Sequence, residues 1–315
     1  MIVVLCMRNC YNSFMQKLEN SVLPALKGLD IKTEVPLSEL TSFHIGGPAA
    51  LVVRPKNESE LCLALRIAQE FNLPWRLLGR GSNVLAPDAG FYGMIVQLDF
   101  PFFPMRMEGN LLHCSAGEAL SDVAAFSVRH GMCGMEGLEG IPGTVGGACA
   151  MNAGAYGAEM KQILRSVRIY RDGEITEVTV RDEDLGHRRS AFAAPSAIVL
   201  SATLELTPDP DGHAMDRLQE YHRRREEKQP LSYPSAGSVF KRPEGHFAGG
   251  LIEQCHLKGM TIGGAQVSPM HAGFIINIGD ATEADVCMLI EEIQCRVLSE
   301  TGVKLERELK FWDEV

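Results

Sequence analysis

The chain has no C-x-x-C pair, no Gly-Lys-Ser/Thr triplet, no apolar run long enough to cross a bilayer, and no surplus of basic residues. Each absence removes a class. Nine cysteines (Cys6, Cys10, Cys62, Cys114, Cys133, Cys149, Cys255, Cys287 and Cys295) are scattered and odd in number, which reads as reduced thiols in a cytoplasm. Cys255-His256 has no further ligands at matching spacing, so no metal site is expected. Without Gly-Lys-Ser/Thr there is no P-loop. The start, Met1 to Met7, is apolar but too short for a span and has neither a basic leader nor a cleavage site; it reads as an extension ahead of Met15. A net charge of −10 leaves no basic stripe to coat a nucleic acid, while a local pocket for a small phosphorylated ligand stays open. The expectation is a cytoplasmic monomer with neither a membrane nor a nucleic-acid partner.

What the chain does have is glycine in two places. With 315 residues and 45% hydrophobic content it is long enough for two or three packed layers. Gly79-Arg80-Gly81-Ser82-Asn83 and Gly140-Ile141-Pro142-Gly143-Thr144-Val145-Gly146-Gly147 lie about sixty residues apart. In the first, Val84 stands where the dinucleotide fingerprint needs its third glycine and no helix pattern follows, which disfavours Rossmann binding. What remains is a strand-loop-strand in which Gly81 permits positive φ and Ser82 and Asn83 offer hydrogen bonds to phosphate. Taken alone, that loop could equally be a plain glycine turn. In the second, glycine recurs every third residue from Gly131 to Gly146, and Gly131 to Gly157 holds nine of the 31 glycines. One proline in that stretch cannot hold a collagen helix, so the bare amides suit a flat or diphosphate-bearing ligand laid against the main chain.

Around the loops the elements interleave. Asn57-x-x-Glu60 opens a helix that closes near Asn72-Leu73-Pro74. Trp75 to Leu78 is then a strand entering the first loop, followed by Val84-Leu85, a Pro87–Gly90 turn and a strand over Met94 to Leu98. A helix is expected from Ser121 to His130 with Gly131 as its stop. Asp172-Gly173 marks a hairpin, and Ala197 to Leu206 a strand. After Thr207 to Gly212 a new unit begins with a charged helix whose Arg223 to Arg225 read as a solvated face. It continues with a helix near Leu251 to Cys255, a strand from Phe274 to Ile278, and a long helix capped by Thr282 and closed by Gly302. On Lys304 to Phe311, period-two alternation sets Leu305, Leu309 and Phe311 on one face and Glu306, Glu308 and Lys310 on the other. The rhythm is α+β rather than a doubly wound sheet.

Both glycine loops, together with Met151 to Gly157, Thr41 to Pro48, Pro234 to Pro243 and Gly263 to Ser268, resemble the UDP-N-acetylenolpyruvoylglucosamine reductase (MurB) family. The likeness runs from about Leu37 to Lys310, and the short stretch from Leu206 to Ser238 is similar to its type II branch. The resemblance implies an FAD-binding fold of the vanillyl-alcohol-oxidase (PCMH) type with two α+β subdomains, plus a smaller α+β substrate-binding domain. It divides the chain into 1–30 (extension and first helix), 31–206 (FAD-binding, split near 75), 207–302 (substrate-binding) and 303–315 (a strand returning to the active site). Noncovalent FAD is implied, held by Gly79, Arg80, Gly81, Ser82, Asn83 and Val84 and by Gly140, Ile141, Pro142, Gly143, Thr144, Gly146 and Gly147. An oxidase of the same fold would carry a covalent flavin histidine just after the first loop, where Ser82-Asn83 stands. A catalytically silent nucleotide-binding module would leave the match at Arg188, Ser238 and Glu308 unexplained.

The chemistry the resemblance implies is reduction of UDP-N-acetylglucosamine enolpyruvate to UDP-N-acetylmuramate, with NADPH reducing FAD first. An enol ether is not naturally a hydride acceptor, so its carboxylate must be polarised and C2 protonated. Ser238 matches the family's proton donor, with Lys241 among the neighbours that would steady the alkoxide. His187-Arg188-Arg189-Ser190 corresponds to a family motif that begins with tyrosine. That assigns Arg188 to the substrate carboxylate, for which its planar fork is suited, and leaves Arg189 a solvated neighbour. Glu308 matches the family's late catalytic acid, with Arg307 where proline is usual. Asn152 and Tyr156 would line the flavin or substrate face, and Lys228, Lys241 and Arg242 would meet the UDP phosphates.

Overall fold

The computed structural model describes residues 14–193 and 197–315; the readings of Met1 to Met7, Cys6 and Cys10 fall outside them. Strand β1 (Asp30–Pro36) runs antiparallel to β2 (Pro48–Arg54). Helix α1 (Glu58–Glu70) opens on Asn57, whose side chain accepts the Glu60 N–H at 2.9 Å, while the Glu60 carboxylate accepts the Lys56 N–H at 2.8 Å. Two orphan amides are thereby satisfied. The helix stops where Asn72 turns to φ 51° ahead of Pro74. Then come β3 (Trp75–Leu78), the short β4 (Val84–Leu85) and β5 (Phe91–Gln97). The sheet order is β1-β2-β5-β3, with β5 parallel to both β2 and β3. Such strands are apolar throughout because both faces are covered: Met94 and Val96 enter one core and Ile95 another.

The second sheet is antiparallel. It uses β6 (Arg106–Glu108) and β7 (Leu111–Ser115), then α2 (Leu120–Arg129) and α3 (Val145–Met151), then β8 (Leu164–Arg171), β9 (Glu174–Thr179) and β10 (Ile198–Glu205), in the order β9-β8-β10-β7-β6. Asp172 and Gly173 supply the positive φ values, 51° and 89°, of the β8–β9 turn. Gly131, at φ 72°, follows α2 as expected. α3 was not expected, because Gly146-Gly147 disfavour helix. It forms because Thr144 accepts the Gly147 N–H at 3.3 Å and the Val145 and Gly146 amides bond to the Glu118 and Ala116 carbonyls at 2.9 Å.

Helix α4 (Ala214–Lys228) follows. Read from sequence as the opening of a new unit, it instead buries Ala214 and Leu218 in the core of the second sheet. The remaining elements are β11 (Ser235–Ser238), α5 (Ala248–Gln254), β12 (Thr261–Ile262), β13 (Ala265–Val267), β14 (Phe274–Asn277), α6 (Glu283–Thr301) and β15 (Lys310–Phe311). A third sheet, β11-β14-β13-β12, packs with α5 and α6 around a separate core. Thr282 and Asp285 exchange side-chain-to-amide bonds at 3.1 and 3.0 Å to open α6, and Gly302 closes it at φ 73°.

The chain end is less regular than its alternation predicts. Only Lys310 and Phe311 pair as a strand, parallel to β4. Upstream, the Glu308 and Leu309 amides both reach the Val239 carbonyl, at 2.8 and 3.2 Å. That kink breaks the two-face pattern: the Glu306 side chain is 69% exposed and that of Glu308 only 15%. Glu306 and Glu308, set on one face by the alternation, thus differ in exposure, and Glu308 is the one drawn into the cavity wall.

Candidate active site

The two glycine loops meet. A β-carbon on Gly79 would stand 2.7 Å from Thr144 Oγ1, and one on Gly143 would stand 3.4 Å from Ser82 Oγ. Gly81, at φ 60°, is wedged so that a β-carbon would lie 2.3 Å from the Leu40 carbonyl oxygen. No other residue fits there. Gly143 and Gly147 have almost nothing in front of them, a β-carbon meeting only Ser82 Oγ at 3.4 Å and Thr144 Oγ1 at 3.5 Å respectively. Two bare bends therefore share one open cradle, as a dinucleotide laid against main chain requires. Alanine at Gly81 is expected to cost at least about 2 kcal/mol, since it adds left-handed strain to a clash. Both the melting temperature and the yellow colour of the purified protein should fall.

Beside the cradle lies a cavity of about 440 Å³ whose walls include His187, Arg188, Ser238, Arg242, His271 and Glu308. Residues separated by up to 121 positions thus face one space. A larger groove of about 620 Å³, between the end of α1 and the Asp172-Gly173 turn, is lined by none of the predicted site residues. Arg188 sits at the tip of a hairpin pairing Leu185-Gly186 with Arg189-Ser190, at φ 52°, a conformation that costs energy for a non-glycine residue and is held by its surroundings. Its Nε is 2.7 Å from Glu308 Oε1, although the N–H is not aligned along that approach, and its Nη2 donates to the Gly154 carbonyl at 3.3 Å. Burial raises the pKa of Glu308, and Arg188, then His187 and Lys241, partly offset that rise. Ser238 ends β11 opposite Phe274, and its residue is exposed.

Cradle and cavity are bonded together. Asn83 of the first loop donates from Nδ2 to the Glu308 carbonyl at 3.4 Å and accepts the Lys310 N–H at 3.1 Å. Asn152, expected at a ligand face, is only 2% exposed and spends its amide on the chain. Its Nδ2 donates to Gly186 O at 3.0 Å and to Glu159 at 3.3 Å, and its Oδ1 accepts the Lys161 N–H at 2.9 Å. It faces the base of the Arg188 hairpin rather than the cavity. Tyr156, Lys228 and Lys241 are also absent from the cavity wall. Tyr156 stacks on Tyr221 at 4.7 Å, Lys228 is exposed at the end of α4, and Lys241 Nζ lies 3.4 Å from Glu306. Arg242 does line it, with its guanidinium 4.0 Å from the Phe247 ring centre. Arg307, where proline was expected, pairs with Glu314 at 2.7 Å and covers the Phe311 ring, tying the chain end down.

The reading of Arg223 to Arg225 as a solvated face holds for the first two, which are exposed and pair with Glu220, and fails for the third. Arg225 is 5% exposed, donates to the Gly137 carbonyl at 3.2 Å and lies 5.1 Å from the Tyr156 ring centre. A β-carbon on Gly140 would come 2.6 Å from its Cδ, so glycine there makes room for this side chain. The helical spacing 214, 218, 221, 225 carries the signal, since it sets Arg225 on the buried stripe. Phe240, Phe247 and His271 were not read from sequence as part of the site; the run Ser268-Pro-Met-His-Ala-Gly273, leading into β14, is the stretch that could have suggested the last.

Residues 229–312 match the model of the C-terminal domain of UDP-N-acetylenolpyruvoylglucosamine reductase, and residues 49–179 match an FAD-binding domain. A UDP-N-acetylenolpyruvoylglucosamine reductase of Streptococcus pneumoniae (strain 70585) is 40% identical over 294 residues, covering 93% of this chain and 97% of its own. The chain belongs to the UDP-N-acetylenolpyruvoylglucosamine reductase family. A Clostridium perfringens reductase is 40% identical over 283 residues, 90% of this chain and 93% of its own. The crystal structure of the Thermus caldophilus reductase (MurB) superposes with a TM-score of 0.74 at 32% identity, covering 90% of this chain and 98% of that one. Membership makes the chain an FAD enzyme of α+β fold, and the open cradle at Gly143 and Gly147 fits that cofactor.

Proposed function

We propose that this chain performs the reaction its family is named for, the NADPH-dependent reduction of UDP-N-acetylglucosamine enolpyruvate to UDP-N-acetylmuramate, a step of peptidoglycan precursor synthesis. The observation that carries the residue-level reading is the shared cavity: Arg188, Ser238 and Glu308 reach it from three distant segments. Held by the cradle of Gly79 to Asn83 and Gly140 to Gly147, FAD would supply, at the expense of NADPH, the hydride that C3 of the enolpyruvyl group requires.

The chain's own groups deal with the charge and the proton. Arg188 binds the substrate carboxylate and favours the electron density that moves towards it as C3 is reduced; its remaining N–H donors stay available beside Glu308. Ser238 Oγ gives its proton to C2, completing addition of hydride and proton across the double bond. Glu308, whose carboxyl burial pushes its pKa upward against the pull of Arg188, stands next to that carboxylate as the site's late acid. Asn152 positions the Arg188 hairpin through the Gly186 carbonyl. Arg242 at the rim, with Lys228 and Lys241 further out, suits the diphosphate, and Tyr156 suits the approach over the second loop.

We read 31–206 as the FAD-binding unit with α4 (Ala214–Lys228) leaning on its core, the rest of 207–302 as the substrate unit and 303–315 as the segment returning to the site, a division the separate cores support. A cytoplasmic location suits a reaction that consumes NADPH and a nucleotide sugar, and a monomer is the proposed oligomeric state. Among the described residues no helix is long and apolar enough to cross a membrane. Isotope labelling tests the chemistry: in deuterated water the muramate formed as NADPH is consumed should carry deuterium at C2, the carbon that takes its proton from Ser238. Muramate without deuterium at C2, or no muramate at all, would sink the reading.

A further inference from the structure

Of the polar groups in the cavity wall that the reaction above does not use, His187, Glu253 and His271, the last is the most closely held. His271 lies in its wall, three residues before Phe274, the partner of Ser238 across β11 and β14. The Gly273 carbonyl accepts the Val239 N–H at 2.9 Å, which sets the 271–273 turn alongside the serine. The ring is tightly held. Its Nδ1 accepts the Gly273 N–H at 3.1 Å, so a neutral ring carries its proton on Nε2. Ser268 Oγ accepts the amides of Met270 and His271 at 3.2 and 3.3 Å. Phe274 meets the ring edge-on at 4.9 Å. β-carbons on Gly249 and Gly273 would stand only 3.4 and 3.0 Å from Cε1, so two bare glycines form the slot.

Everything around the ring orients Nε2, which has no hydrogen-bond partner among the described residues. Burial pulls the imidazole's pKa down, Lys258 in the same direction, with its backbone hydrogen bond and Glu253 opposing. The charged groups of the cavity are otherwise occupied. Arg188 faces Glu308, Glu253 pairs with Lys258 at 2.7 Å, and Arg242 lies on Phe247 and donates to the His246 carbonyl at 3.3 Å. A carboxylate belongs to Arg188 and a diphosphate to the rim cations. What remains of the substrate beside the reacting ether is the uncharged hexosamine, whose oxygens suit a fixed neutral donor.

We propose that His271 is a substrate-binding residue, its Nε2–H donating to an uncharged oxygen of the hexosamine, the acetamido carbonyl or a ring hydroxyl, next to the enolpyruvyl ether. The inference rests on the reductase reading. It is tested with His271→Phe, which fills the slot without a donor, and His271→Asn, which keeps an N–H. With NADPH saturating and the UDP-enolpyruvyl compound varied, His271→Phe should raise KM about ten-fold with kcat little changed, and His271→Asn should recover most of that loss. If the phenylalanine protein does not hold flavin, Gly273→Ala, which crowds the ring in place, should give the same rise in KM.

A substrate analogue with hydroxyl in place of acetamido separates the two acceptors. If the carbonyl is the partner, His271→Phe costs nothing further on the analogue; if a hydroxyl is, the losses multiply. An unchanged KM, a fall in kcat alone, or asparagine no better than phenylalanine would overturn the proposal. Failure of the underlying reading is distinguishable, because the unaltered protein would then not turn over the UDP-enolpyruvyl compound.

Discussion

Alanine at Ser238 leaves NADPH bleaching of the flavin at close to its normal rate and slows reoxidation by the UDP-enolpyruvyl compound by about 10² to 10⁴, the range for removing a positioned proton donor. The split follows from geometry. Ser238 ends β11 with its residue open to the cavity, whereas the cradle that fits the flavin is built from Gly79 to Asn83 and Gly140 to Gly147, with Thr144 and Gly81 fixed by their own neighbours. Removing one hydroxyl leaves that cradle intact. Anaerobic stopped-flow absorbance resolves the two half-reactions. Equal slowing of both would remove the serine from the proton-transfer step.

Lysine at Arg188 lowers kcat/KM for the enolpyruvyl substrate by about 10² to 10³, the scale for losing a donor aimed at developing charge. The positive charge survives, so the loss measures the planar fork. The geometry makes the site unforgiving. Arg188 is held at φ 52° on a two-residue turn, with Nε 2.7 Å from Glu308 and Nη2 on the Gly154 carbonyl, and a point cation on a flexible stem cannot meet both while gripping a carboxylate. Steady-state rates with the lysine variant check this; a loss of less than about three-fold would place the carboxylate elsewhere.

Glu308 adds a dependence on pH. Burial raises its folded pKa despite the opposing pull of Arg188. A raised value means that its contribution to stability is fully present below the ordinary glutamate range and is lost as pH rises through the folded value. Glutamine at this position removes that titration. The melting temperature of the wild type relative to Glu308→Gln should therefore decline between about pH 4.3, the ordinary value, and the raised one. A constant or rising difference would show that Arg188 dominates instead.

Much of this was legible from residues alone because it rests on local rules. Asn57 with Glu60, Thr282 with Gly302, and Asp172-Gly173 each carry their own cap or turn chemistry, and each does what that chemistry dictates. The glycine loops were legible as bare backbone, but α3 inside the second was not. Its stability comes from Thr144 and from carbonyls of Glu118 and Ala116, which no local propensity reveals. The alternation from Leu305 to Phe311 correctly buried Leu305 and Leu309 but did not separate the exposed Glu306 from the enclosed Glu308, because two successive amides converge on Val239. Arg225 was misread because charge was weighed above helical phase. Asn152 was legible as important and not in how, since its partners lie up to 34 residues away.

The central claim is that one cavity, bonded to one glycine cradle, passes reducing equivalents from NADPH to an enolpyruvyl double bond. An anaerobic titration of the purified protein tests it most directly. The account predicts a visible flavin spectrum that one equivalent of NADPH bleaches and one equivalent of UDP-N-acetylglucosamine enolpyruvate restores. A protein that carries no flavin, or that stays bleached when the enolpyruvyl compound is added, would contradict it.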